Sequence, residues 1–185
     1  MPKEIIQQMR KQMEKILEST AKEFSNIRTG RATISLLDGI TVDNYGAKSP
    51  INQVASISIP EARLMVIQPW DKSKIGQIEK AILKADLGLN VSSDGNVIRI
   101  TVPELTEERR KDLAKHVKKL AEEGRVALRN ARRDANDAIK KLEKAGKISE
   151  DDSKREQEET QKITDENIKK IDEMLKAKEK EIMQI

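Results

Sequence analysis

The sequence predicts an α+β protein: a long antiparallel three-helix bundle with a small β/α/β domain inserted into it, elongated and bent at a hinge. Three observations carry this prediction. Apolar or small residues recur at steps of three and four in three separate stretches, 6–27, 113–142 and 160–182, each drawing a stripe down one side of a helix. Between the first and second stretches the period falls to two in four short runs, the mark of strands. Aromatic residues make up 2% of the chain and charged residues 37%, which suits helices packed through aliphatic seams and argues against a deep aromatic-lined ligand pocket.

The first helix is expected over residues 3–28, with Ile6, Met9, Met13, Ile16, Thr20, Phe24 and Ile27 on one face. Thr29 and Gly30 break it. Strands follow at residues 40–45, 54–59, 64–67 and 97–102, separated by turns at 46–50 and 94–96 that hold Gly46, Pro50, Asp94 and Gly95. Ile75, Ile78, Ile82 and Ala85 place one helix between the third and fourth strands. Trp70, just after Pro69, reads as the core aromatic of this small domain.

Helical period returns after Pro103. Thr106 can cap the second long helix, with Glu107 and Glu108 set favourably against its dipole. Its seam is Leu113, Val117, Leu120, Gly124, Leu128, Ala131, Ala135, Ala138 and Leu142, about 3.6 residues per step, which suits a nearly straight helix of roughly 40 residues, on the order of 60 Å. Gly146 lies in the C-cap region. Ser149, followed by Glu150, Asp151 and Asp152, starts the last helix, whose inner face is Thr160, Thr164, Ile168, Ile171, Leu175 and Ile182. A homodimeric coiled coil competes with the bundle. The seam interruptions at Thr20, Gly124 and Ala135 favour close packing within one chain, and a monomer is expected. The domains are therefore read as 1–30 with 104–185 for the bundle and 31–103 for the insert.

Several functions are excluded or disfavoured. The chain has no cysteine and one histidine, His116, set among Lys115, Lys118 and Lys119, so thiolate chemistry is impossible and a histidine metal or catalytic site has no second member. No phosphate-cradling GxxxxGK loop is present. The acidic pairs Asp151/Asp152 and Glu158/Glu159 fit capping and solvation better than acid–base work. No catalytic residues, metal site or cofactor are expected, nor is an enzyme. The start of the chain is polar, and no run reaches membrane-spanning length, so a cytoplasmic protein is expected.

Charge is concentrated. Residues 109–147 carry 14 Lys and Arg against 6 Asp and Glu, a net of +8, while residues 31–104 carry eight of each. Within the basic stretch Arg125, Arg129 and Arg132 stand at i, i+4 and i+7, beside the apolar stripe of Leu128, Ala131, Ala135 and Ala138. A row of guanidinium forks on a rigid helix fits the phosphates of a folded RNA. The competing reading is an ordinary solvated face.

Four segments carry a resemblance: Asn26-Ile-Arg-Thr-Gly-Arg-Ala32, Ala85-Asp-Leu-Gly-Leu-Asn90, Pro103-Glu-Leu-Thr-Glu-Glu-Arg-Arg-Lys111 and Arg129-Asn-Ala-Arg-Arg-Asp-Ala-Asn136. In order and over the whole length the chain resembles the bacterial ribosome recycling factors. It departs at Val91, where the family often has proline, in a segment expected to be a turn. The resemblance implies a hinged factor, L-shaped and tRNA-like overall, that acts with elongation factor G and GTP to split the post-termination 70S ribosome into subunits and release it from mRNA. It implies a bundle lying on large-subunit rRNA at the inter-subunit face. By motif, the rRNA contacts would be Arg132 first, then Arg129 and Arg133, with Arg110, Arg28 and Arg31 as secondary candidates that could instead bridge the hinge and the bundle end. The hinge would comprise Thr29, Gly30, Arg31, Pro103 and Glu104. A general helical RNA-binding or chaperone module is the alternative function.

Overall fold

A computed structural model describes residues 1–184. Among them are four α-helices, α1 (Pro2–Ser25), α2 (Ile75–Lys84), α3 (Glu107–Lys144) and α4 (Glu150–Met183). Six strands are present, β1 (Thr41–Asn44), β2 (Ala47–Pro50), β3 (Ala55–Glu61), β4 (Leu64–Pro69), β5 (Asn90–Ser93) and β6 (Ile98–Thr101). The chain forms two compact units, Met1–Ile27 with Lys111–Gln184 and Arg28–Arg110. Relative to the boundaries read from the sequence, residues 28–30 and 104–110 group with the smaller unit.

The larger unit is a three-helix bundle. Contacts run from Lys118 to Glu179, Arg125 to Asp172 and Asn136 to Thr160, so α3 is antiparallel to α4. Arg10 meets Glu159, and Asn167 Nδ2 lies 3.8 Å from Met13 Sδ, which makes α1 parallel to α4. Met9, Met13, Phe24, Val117, Leu128, Ile139, Ile163 and Ile171 fill the core. The predicted seam is one step out of phase in places: Ala121 and Ile139 are buried where Leu120 and Ala138 are only half-buried. On α4, Ile163 and Ser153 are buried, while Ile168 and Leu175 are half-covered. A three-helix core covers a wider stripe than one residue per turn, so neighbours on both flanks of a seam are drawn in.

The helix ends follow the expected signals with one exception. Thr106 Oγ1 accepts from the Arg109 N–H (3.2 Å) and Ser149 Oγ from the Asp152 N–H (3.1 Å), each satisfying an otherwise orphan first-turn donor. Gly146 has φ +68°, and the Gly146 and Lys147 N–H groups return to the Glu143 and Leu142 carbonyls, 2.9 Å each. This is the paired closure of a Schellman motif, which needs a residue tolerant of left-handed backbone. The exception is α1, which stops at Ser25 rather than at Arg28. Ile27 keeps the apolar spacing but lies beyond the helix.

The smaller unit holds two antiparallel sheets, β1-β2 and β3-β4-β6-β5. Alternate residues Met65, Ile67, Ile98 and Ile100 pack with Ile75, Ile78 and Ile82 of α2 and with Leu37, Val42 and Ile51. Two strands were not expected. The turn assigned to residues 46–50 is only Tyr45-Gly46, with φ +52° and +87°, the double left-handed pair of a two-residue hairpin. Residues 47–50 form β2, paired Asn44 to Ala47 and Thr41 to Pro50. Residues 90–93 form the edge strand β5, in which Val91 pairs with Ile100. Valine therefore sits in a ladder position, not in a turn. Trp70 corrects a further expectation: it is 69% exposed, beyond the core face of β4.

Candidate nucleic-acid interface

The basic stretch of α3 separates once its partners are seen. Arg125 is held across the bundle by Asp172 (Nε to Oδ1, 2.8 Å) and along the helix by Glu122 (3.0 Å). Partial burial works against its charge, yet the hydrogen bonds to Asp172 and Glu122 outweigh that and raise its pKa. Glu122 also takes Arg129 as an ion-pair partner. Hydrogen bonds from Arg125, and then Arg129, hold its carboxyl below the ordinary range. Arg125 and Arg129 are thus compensated within the protein.

Arg132 and Arg133 differ. Arg132 Nη1 donates to Gln161 Oε1 on α4 at 2.6 Å, and no carboxylate pairs with it among the described residues. Arg133 is exposed, with no side-chain partner among those residues. The rest of the segment serves packing: Ala131 and Ala135 are buried, and Asn136 Oδ1 accepts from the buried Thr160 hydroxyl at 2.6 Å. The i, i+4, i+7 row expected from the sequence therefore divides: Arg125 and Arg129 are balanced by carboxylates, while Arg132, like its neighbour Arg133 outside the row, has no acidic partner among the described residues. Sequence spacing could have flagged Glu122, seven residues before Arg129 and three before Arg125. It could not have flagged Asp172 or Gln161, which arrive from another helix.

The remaining candidates belong to the smaller unit. Arg28 Nη1 donates to Leu87 O at 2.7 Å, tying the start of the unit to its Ala85-to-Asn90 segment. Arg31 and Arg110 are half-buried, and the Nε of each is sealed from solvent without a hydrogen-bond partner among the described residues. Gly30 has φ +77° beside the buried Thr29. The chain is pinned at both ends of the insert to one turn. Ala32 N–H donates to Ala62 O and Val102 N–H to Arg63 O, both at 2.8 Å, while Glu104 pairs with Arg63 at 3.9 Å. Of the expected hinge residues, Pro103 follows directly on a pinned position, and Thr29, Gly30 and Arg31 precede one.

Among the described residues no three-member His, Asp and Glu cluster could hold a metal, and no helix is long and apolar enough to cross a membrane. What the bundle presents is a helical face with two arginines free of acidic partners among the described residues. Such a face fits a protein that binds nucleic-acid phosphates.

Comparison with known proteins agrees with this class. The family model "Ribosome recycling factor" matches residues 20–183. The chain is 58% identical to the ribosome-recycling factor of Bacillus subtilis (strain 168) and 56% identical to that of Geobacillus kaustophilus (strain HTA426), each over 185 residues and the whole of both chains. A solution structure of a ribosome recycling factor superposes with TM-score 0.80 at 44% identity, covering 100% of this chain and 98% of the other. The T. thermophilus ribosome recycling factor, described with E. coli elongation factor G bound to the E. coli post-termination complex, gives TM-score 0.68 at 48% identity over 99% of each chain. The chain belongs to the ribosome recycling factor family, whose members are translation factors and not enzymes.

Proposed function

We propose that this chain works in the cytoplasm as a monomer on the post-termination 70S ribosome. Together with elongation factor G and GTP, it splits the ribosome into subunits and frees it from mRNA. Arg132 and Arg133 contact large-subunit rRNA at the inter-subunit face, Arg129 joins them where a phosphate takes the place of Glu122 as its partner, and Arg28, Arg31 and Arg110 are secondary contacts. Thr29, Gly30, Arg31, Pro103 and Glu104 form the hinge. The observation that carries the reading is 58% identity to a ribosome recycling factor over the whole of both chains, together with an arginine pair that lacks acidic partners among the described residues on the most basic helix. Two phosphate-directed arginines on a rigid helix anchor the factor, and a hinged second unit converts a push from the elongation factor into strain between subunits.

The direct test is a subunit-splitting assay with elongation factor G and GTP, run with and without the chain. Splitting that requires the chain supports the reading, and splitting indifferent to it refutes it. For the anchor, Arg132→Glu should weaken ribosome binding and flatten its dependence on salt. Equal binding to free RNA and to ribosomes would favour the general RNA-binding module instead.

A further inference from the structure

The arginines of the bundle unit are Arg10, Arg125, Arg129, Arg132, Arg133 and Arg155. Four of them are paired with carboxylates: Arg10 with Glu159, Arg125 and Arg129 with Glu122, and Arg155 with Asp152. Among the described residues Arg133 has no side-chain partner, and Arg132 alone is held by a neutral amide, that of Gln161. The amide is itself oriented, because Gln161 Nε2 donates to Asp165 Oδ1, one turn further along α4, at 2.8 Å.

The orientation follows from the donor and acceptor inventory. An ionised carboxylate only accepts hydrogen bonds, so Asp165 selects the NH2 end of Gln161 and turns its oxygen towards Arg132. That oxygen takes one N–H of the guanidinium and fixes the plane of the fork, while the other donors stay unclaimed. A carboxylate in place of the amide would fix the fork equally well but cancel its charge, and the pair would have to be broken to engage a phosphate. The chain Asp165–Gln161–Arg132 thus gives geometry without neutralisation.

We infer that Gln161 and Asp165 are positioning residues that hold the Arg132 guanidinium ready for an RNA phosphate while leaving it fully charged. This rests on the reading of Arg132 as an rRNA contact. Ordering a long side chain before binding removes part of the entropy cost that binding would otherwise carry, worth about three- to tenfold in affinity for one rotamer-rich side chain.

The test is pelleting with 70S ribosomes at fixed magnesium and stepped KCl. Gln161 and Asp165 are exposed, and Ala, Glu and Asn substitutions there keep the helix; urea unfolding of each variant checks this. Gln161→Ala should weaken binding about three- to tenfold and keep the wild-type salt slope, since the phosphate contact is still made. Gln161→Glu should weaken binding and lower the slope by about one phosphate contact, as Arg132→Ala does. In an Arg132→Ala background Gln161→Ala should cost nothing further. An equal cost in both backgrounds would show that Gln161 acts on the fold and overturn the inference, as would wild-type binding by Gln161→Ala. Wild-type binding by Arg132→Ala would instead remove the phosphate reading itself.

Discussion

Thr160 and Thr164 lie one turn apart on α4, both wholly buried, yet replacing each by valine should have different effects. The change preserves shape and β-branching, so helix propensity and packing volume largely cancel. The Thr164 hydroxyl donates to the Thr160 carbonyl (2.6 Å) within its own helix, and that carbonyl is positioned to accept the next-turn N–H as well. Its loss strands nothing. The Thr160 hydroxyl lies within hydrogen-bond distance of two acceptors, Asn136 Oδ1 on α3 (2.6 Å) and the Gln157 carbonyl of its own helix (2.8 Å); valine leaves that carbonyl its helical N–H partner but leaves the half-buried Asn136 amide facing a methyl group. An orphaned buried polar group costs ~1–3 kcal/mol, and because Asn136 is only half-buried the lower end applies. Thr160→Val should therefore lose about 1 kcal/mol and Thr164→Val less than about 0.5 kcal/mol, measured by urea unfolding followed by circular dichroism at 222 nm. Asn136→Ala should add little on top of Thr160→Val, because the pair is already broken. Equal losses for the two threonines, or full additivity with Asn136→Ala, would refute the account of the α3–α4 bond.

Gly146→Ala should cost about 1 kcal/mol in the same measurement, since alanine resists φ +68° where the α3 closure requires it. Ser149→Ala should cost a similar ~1 kcal/mol through the lost cap of α4. Trp70→Ser should shift stability by less than about 0.5 kcal/mol, as expected for an exposed side chain, and a larger loss would return Trp70 to the core. Asp94 has its pKa depressed by the Arg99 guanidinium and by the Val97 and Asn96 N–H groups. Its stabilising effect is present above the ordinary aspartate value of 3.8 and fades as pH falls towards the depressed one. Asp94→Ala should thus destabilise the chain at neutral pH, and the gap from wild type should narrow as acid is added below about pH 4. A gap constant down to pH 2 would contradict the ion pair.

Three long helices, their two polar caps and the glycine closure after α3 were legible in the sequence because each depends on local chemistry repeated many times or on one residue type with few other uses. The strands formed by residues 47–50 and 90–93 were not. Ala-Lys-Ser-Pro and Asn-Val-Ser-Ser carry little strand propensity and become strands only because a hairpin turn or an established neighbour offers them a ladder. Trp70 misled for a related reason: burial of an aromatic residue is the general tendency, but the alternation along β4 places Met65, Ile67 and Pro69 inside and the next residue outside. At the candidate interface, the sequence could order the arginines along one helix but could not tell which of them had their charge balanced by a partner. Asp172 and Gln161 lie 47 and 29 residues away from the arginines they hold, and only the packed bundle brings them there.

The single turn at Ala62 and Arg63 that receives both Ala32 and Val102 bears on how the chain reaches this fold. Without it, α1 and α3 would have to find each other across a floppy connection of some eighty residues. Once the inserted unit has formed, its two ends are pinned to adjacent residues, and the connection shrinks to the few residues on either side. A tenfold shortening of the effective loop lowers its closure cost by about 2 kcal/mol. The insert then works as a clasp during assembly, and early folding of the sheet should speed the docking of the long helices.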